Sequence, residues 1–278
     1  MMTNPYRFKN PLGSICQWLY FHSNTLLFVF LLFFYFSSIA QEDQKQEKSW
    51  NFTAAPYLIF PSMNGDVGLG NQLVNVDANP GDIFENLDGG FMFFIEASKD
   101  KWIINVDFLF MNLGAKGTTP LLQRDARVDL QQLGLTFNGM YQLNNWLSAG
   151  IGFRVNSINQ SFNIQALAGP GPGEIELPEI DRSLSNTWVD PLLVARAMTR
   201  FNDSSWRLGM IADIGGFGIG SDLAWQVNPF VGYQFSKLFE IDLAYRWLAM
   251  DYNTGKGQDY FLYNMVISGP EIGFLFHF

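Results

Sequence analysis

Gly269-Pro-Glu-Ile-Gly-Phe-Leu-Phe-His-Phe278 closes the chain. Ile272, Phe274, Phe276 and Phe278 fall on alternate positions, so an extended backbone puts all four on one face. A last strand with one apolar face and a terminal aromatic is the usual ending of a transmembrane β-barrel. The same alternation recurs upstream in segments of about 10–18 residues, long enough for a tilted strand to cross a bilayer.

Ten such segments can be read, at 49–60, 88–98, 101–115, 127–143, 146–164, 186–201, 205–220, 223–236, 239–255 and 260–278. Eight or twelve strands are the alternatives. The connections Ser98–Lys101, Leu143–Trp146, Phe201–Ser205 and Phe235–Phe239 are tight and polar, whereas those on the other side are mostly longer. Short periplasmic turns and longer outer loops are the topology of an outer-membrane barrel, and an even strand count returns both termini to the periplasm. In the first long connection, Asp66–Asp77 reads as a small hairpin turning at Gly70-Asn71. Asp82-Ile-Phe-Glu85, after Pro80-Gly81, reads as the capped start of a short helix.

Composition supports a barrel. Charged residues make up 15% of the chain and aromatics 16%, with 27 Phe; soluble domains carry about 25% charge. Past residue 40 no apolar run is long enough for a spanning helix, so the apolar residues must be hidden on alternate positions. A soluble barrel of lipocalin type would put its apolar faces inward instead.

The first forty residues read as a secretory signal. Arg7 and Lys9 supply a positive start, Thr25–Phe36 an apolar core, and Ser37, Ser38 and Ala40 a small-residue cleavage site. The competing reading is an uncleaved anchor, for which the apolar run is short. Cys16 precedes that core, which argues against lipoprotein modification. Residues 41–48 are then a polar leader and 49–278 the barrel. Losing Arg7 and Lys9 moves the net charge from −9 to about −11, which argues against a nucleic-acid partner.

The faces carry the chemistry. Trp102, Ile104, Val106, Phe108 and Phe110 oppose Asn105 and Asp107; Leu147, Ala149, Ile151, Phe153 and Val155 oppose Ser148, Arg154 and Asn156. Leu208, Met210 and Ile214 oppose Arg207 and Asp213. Phe239, Ile241, Leu243, Tyr245 and Trp247 oppose Glu240, Asp242 and Arg246. A charge facing the bilayer midplane costs about 2–4 kcal/mol, so each polar face is expected in the lumen and each apolar face on lipid. The expected lumen set is Glu96, Asp107, Arg154, Asp190, Arg196, Arg207, Asp213, Glu240, Asp242, Arg246 and Glu271. Buried charges must be paired, and the arginine fork suits carboxylates, so an Arg–carboxylate ladder is expected. It serves as the polar core of a small barrel or lines a path for small solutes, where excess carboxylate would favour cations. Trp50, Trp102, Trp146, Trp206, Trp225, Trp247, Tyr141 and Tyr233 sit near strand ends as interfacial girdles.

Catalytic and metal signals are thin. His22 lies in the presequence and His277 next to the C-terminus, with no nucleophile beside it. Gly215-Gly-Phe-Gly-Ile-Gly220 lacks the Lys and helix of a phosphate loop and reads as a strand end or bend. Asp77, Asp82, Glu85 and Asp88 match no calcium-loop spacing. Neither a cofactor nor a metal is expected.

Several stretches resemble a family of bacterial outer-membrane β-barrel proteins without an established activity. They are Trp188-Val-Asp-Pro191, Asp213–Asp222, Trp225-Gln226, Gly232–Phe235, Tyr245–Leu248 with Asp251-Tyr252, the closing Gly269-Pro270…Phe278, and upstream Asp82–Asp88 with Glu96 and Lys101-Trp102. The resemblance implies the barrel and the outer membrane of a Gram-negative bacterium, and it transfers no catalytic residue. The Ala/Gly/Pro-rich stretch 166–180 departs from the family pattern. The expected function is a non-enzymatic, porin-like barrel that is structural or binds or passes small solutes. An outer-membrane enzyme acting on lipid or peptide, and an adhesion or assembly scaffold working through loops 61–87 and 165–185, are the alternatives. The expected partners are outer-membrane lipid and, through the Phe278 strand, the barrel-assembly machinery.

Overall fold

The structure, a computed structural model, describes residues 49–69, 72–118, 125–164, 180–201 and 204–278. The proposed signal and leader lie outside the described residues.

Twelve strands form one sheet: β1 (Asn51–Ile59), β2 (Ser62–Leu69), β3 (Gln72–Ala78), β4 (Leu87–Lys99), β5 (Trp102–Thr118), β6 (Asp125–Gln142), β7 (Leu147–Ile164), β8 (Ile180–Arg200), β9 (Trp206–Gly216), β10 (Leu223–Gln234), β11 (Phe239–Thr254) and β12 (Phe261–His277). Ten of them, β1 and β4 through β12, close a barrel by the antiparallel pairing of β1 with β12. Closure removes the free edges that a sheet cannot expose to lipid. The expected ten-stranded barrel is therefore present, with β2 and β3 as an added hairpin.

That hairpin continues the first strand. Ile59 lies opposite Glu271 and Ser62 opposite Ser268, so β1 and β2 run along β12 in one unbroken register. Phe60-Pro61 interrupts them, facing Gly269-Pro270 on β12. β3 then pairs with β2, Leu69 opposite Gln72, as the expected hairpin requires. Helix α1 (Pro80–Glu85) leads from β3 to β4. Its capping box joins Asn79 and Asp82, three residues earlier than the sequence suggests, because Asn79 is the better cap and Pro80 suits the first helical position.

The strand boundaries that differ most from expectation are the start of β8 and the end of β9. β8 begins at Ile180 rather than 186, because pairing to β7 carries the Ser- and Asn-rich stretch into the sheet. β9 stops at Gly216, and Gly216, Phe217 and Gly218 take positive φ angles of 85°, 52° and 73° in a tight turn.

A belt of exposed apolar side chains surrounds the barrel, including Ile95, Ile104, Phe137, Ile151, Phe153, Leu193, Leu208, Met210, Ile214, Leu243 and Phe276. Trp50, Trp102, Trp146 and Trp206 are exposed at its periplasmic end and Trp247 at its outer end. These are the faces expected on lipid.

Above that belt the assignment of apolar residues to lipid fails. Met63, Met111, Ile158, Trp188, Leu248, Met250, Phe261, Tyr263, Met265 and Ile267 point inward and pack together. The strands here rise past the bilayer, where water on the outside reverses the preference. The sheet β3-β2-β12-β11 faces β5–β8 across this core, with Trp188 stacked on Tyr252 at 3.9 Å between ring centroids. The outer half of the interior is thus an apolar sandwich core.

Candidate functional site: a polar chamber below the apolar core

The periplasmic half of the interior is polar. A cavity of about 120 Å³ is lined there by Thr53, Tyr57, Glu96, Asn105, Asp107, Asn138, Arg196, Arg207, Asn228, Asp242, Arg246, Glu271 and His277, among others. Most of these sit on inward positions of β1, β4, β5, β8, β9, β11 and β12, where alternation sends polar residues to the interior.

The charges pair across the interior rather than along one strand. Arg196 Nη1 on β8 meets Glu96 Oε2 on β4 at 2.6 Å. Arg246 Nη1 on β11 meets Asp107 Oδ2 on β5 at 2.9 Å, and Arg246 Nε approaches Glu271 Oε2 at 2.9 Å. The Glu271 contact is an ion pair by distance but not an aligned hydrogen bond. Tyr57 Oη donates to Asp107 at 2.6 Å, and its ring lies 4.9 Å from the Arg246 guanidinium carbon. Arg207 donates to both Glu240 and Asp242 at 2.6 Å. Higher in the barrel, Arg154 Nη2 meets Asp213 Oδ2 at 2.8 Å and Arg154 Nε donates to Thr136.

Gly232 makes one of these pairs possible. A Cβ there would lie 2.3 Å from Glu240 Oε1 and from Asp242 Oδ1. The bare backbone of β10 is the floor over which Arg207 reaches from β9 to β11.

One member of the expected ladder has a different task. Asp190, fully buried, has no arginine partner among the contacts described. It accepts hydrogen bonds from Asn156, from Trp188 Nε1 and from the Ser221 backbone N–H and hydroxyl, at 2.6–3.1 Å. It anchors the β9–β10 turn to β8. Conversely, Arg200 and His277 were not in the expected set, yet both reach Glu240, at 3.3 and 3.1 Å. His277 also shares a hydrogen bond with Thr53 at 3.1 Å, tying the last strand to the first. Position on the inward face of the closing strand was the available signal for His277; for Arg200, near a strand end, there was none.

Hydrogen-bonding capacity is left in the cavity wall on charged groups (Asp242 Oδ1, Arg246 Nε and Glu271 Oε2) and on neutral ones. Asn138 Nδ2 donates to Asn105 Oδ1 at 3.0 Å. That leaves Asn105 Nδ2 and Asn138 Oδ1, both buried in the cavity wall, without a partner among the described residues. Exchanging amide N and O in both residues leaves the same remainder, one donor and one acceptor. Among the described residues no group of three or more His, Cys, Asp or Glu is placed to hold a metal.

In fold the chain is similar to the outer-membrane protease OmpT of Escherichia coli, with a TM-score of 0.51 and 10% sequence identity, covering 85% of this chain and 99% of that one. Looser matches include the translocator domain of the autotransporter NalP from Neisseria meningitidis, with TM-score 0.41, 10% identity and coverage of 92% and 98%. Ail, the attachment invasion locus protein of Yersinia pestis, gives TM-score 0.35, 11% identity and coverage of 83% and 99%. No protein-family model and no curated protein matches the chain. The chain has the fold of a bacterial outer-membrane β-barrel, and its apolar belt and girdles set it in the outer membrane of a Gram-negative bacterium. At such identities the likeness carries no activity across.

Proposed function

We propose that this protein is a non-enzymatic outer-membrane barrel that does not conduct straight through and instead takes a small polar solute into a blind chamber open to the periplasm. The observation that carries this reading is the stacking of an apolar core above a polar cavity of about 120 Å³. Water and ions entering from the periplasm meet the Arg–carboxylate network, then packed Tyr263, Met265 and Met250. The spare donor and acceptor on Asn105 and Asn138 suit a small polar solute carrying both functions, such as an amide or a polyol, and the open Asp242 Oδ1 adds a further acceptor. Arg196, Arg207 and Arg246 face Glu96, Asp107, Glu240, Asp242 and Glu271, so carboxylate stays in excess around the chamber, and a solute carrying a positive charge belongs in the same panel of candidates.

The enzyme alternative has less support, because His277 is held between Thr53 and Glu240 at the periplasmic end. A scaffold role draws on one observation, the rise of β5–β8 above the lipid belt as a platform. Insertion by the assembly machinery through the strand ending at Phe278 remains part of the proposal.

The test uses Asn228→Cys in protein reconstituted with known orientation. A water-soluble maleimide is expected to label it from the periplasmic side only, and a bound solute should slow labelling in a panel of amides, polyols, cations and anions. Labelling from the outer side would contradict a blind chamber, and protection by none of the panel would contradict solute binding.

A further inference from the structure

Shorter lapses aside, such as those at Ala55-Pro56 and Asn228-Pro229, the barrel pairing among the described residues is broken near the outer rim of the lipid belt between β1 and β4. β1 and β4 pair from Asn51–Ser98 up to Pro56–Phe93 and no farther. The register would set Tyr57–Ile59 against Gly90–Met92, but no ladder joins them. Higher still, the place beside β2 is taken by β3, whose pairing begins at Met63–Ala78. Between these two ladders lies α1.

The physics of the site explains why a helix is there. At the rim of the hydrocarbon backbone polar groups still need partners, and a helix supplies them within its own segment; its exposed Asp82 and Glu85 set α1 at headgroup level rather than inside the belt. The helix is also self-contained at its start, where Asn79 and Asp82 cap each other's backbone N–H groups. Ile83, only 3% exposed, points into the apolar core, while Phe84 faces out and packs on Phe60 at 5.2 Å. Withdrawal of α1 would break no strand ladder. Beside it β4 carries a register irregularity between Leu87 and Gly89 and then Gly90, the least restrained backbone available. Behind it, where no strand ladder joins β1 to β4 among the described residues, Ile59, Met92, Leu109 and Tyr57 form a small apolar cluster. Methionine adapts its shape readily to a new neighbour.

What covers the outside is fixed by position. Leu58, Phe60, Phe84 and Phe91 are exposed around the break, continuous with the lipid-facing belt, and Phe60 lies just below the level of girdle residue Trp247. We propose that this break is a lateral binding site for one acyl chain of an outer-leaflet amphiphile, with α1 as its plug. The chain enters beside Phe84 and lies against Ile59 and Met92, which face the interior. The site is independent of the periplasmic chamber, and either could exist without the other.

The test is photocrosslinking in vesicles containing a phosphatidylglycerol with a diazirine on its acyl chain, with adducts mapped by mass spectrometry. Three full-length proteins are compared in a Cys16→Ser background: unaltered, Phe60→Cys/Phe84→Cys oxidised to lock the plug, and Ile83→Gly to loosen it. Heat-modifiable migration in gels verifies that each is folded. The expected result is adducts on Ile59 and Met92 in the unaltered protein, severalfold fewer in the locked one and severalfold more in the loosened one. Adducts confined to outward side chains in all three, or an inward yield indifferent to the lock, would overturn the proposal.

Discussion

Arg154 and Asp213 meet at 2.8 Å with side chains 2% and 1% exposed, reaching over β8 from β7 to β9. Removing one partner leaves the other charge buried and unmatched, at a cost of about 3–5 kcal/mol. Asp213→Ala is therefore expected to lower unfolding free energy by that order in a denaturant titration in lipid. The double change Arg154→Met/Asp213→Leu should recover much of the loss. A double variant no better than the single one would mean that the pair has a role other than charge matching.

Gly232 supports the bridge that holds Arg207. In Gly232→Ala the new methyl group would meet the Glu240 and Asp242 carboxylates at 2.3 Å, and both are pinned by Arg207. Lower thermal stability is expected, with faster maleimide labelling of a cysteine at Asn228 as the chamber opens. Unchanged stability and labelling would show that the carboxylates move aside freely.

Asp190 holds the β9–β10 turn through Ser221 and carries Trp188 Nε1 as well. Asp190→Ala strands several buried donors, so a loss of about 3 kcal/mol is expected. Trp188 emission should shift to the red and protease should cut near Phe217. The same loss without either local signal would place the effect elsewhere.

Lipid and water faces should respond oppositely to charge. Leu243, 56% exposed, lies in the belt, and Leu73, 66% exposed, lies on the hairpin β2–β3 above it. Leu243→Arg is expected to cost about 2–4 kcal/mol, depending on depth, while Leu73→Arg is nearly neutral. Equal costs in refolding titrations would displace the belt.

The barrel was legible in the sequence because a strand has only two faces, and Leu243 against Asp242 or Phe108 against Asp107 states which is which. The pairing of β2 with β3 and the helix near Asp82 were legible for similarly local reasons, while the expected turn residues Gly70-Asn71 lie outside the described residues. Height was not. Tyr263, Met265 and Ile267 share the inward face of β12 with Glu271, and alternation alone does not say where the bilayer ends and a second apolar core begins. Pairing was also hidden, because Arg246 and Asp107 are brought together by closure of the whole barrel. The continuity of β1 into β2 was masked by Pro61, which reads as a loop residue although the register on β12 runs through it. Asp190 resembled its neighbours in the polar set, and only the fold places Ser221 above it.

The most direct measurement of the central claim, that packed apolar side chains close the outer half of the lumen, is single-channel conductance of refolded protein in a planar bilayer. The protein as it stands should give no discrete steps, and truncating the core with Tyr263→Ala/Met265→Ala should create them. Stable, cation-selective steps from the unaltered barrel would contradict the account, since ions could then pass where it places a sealed core.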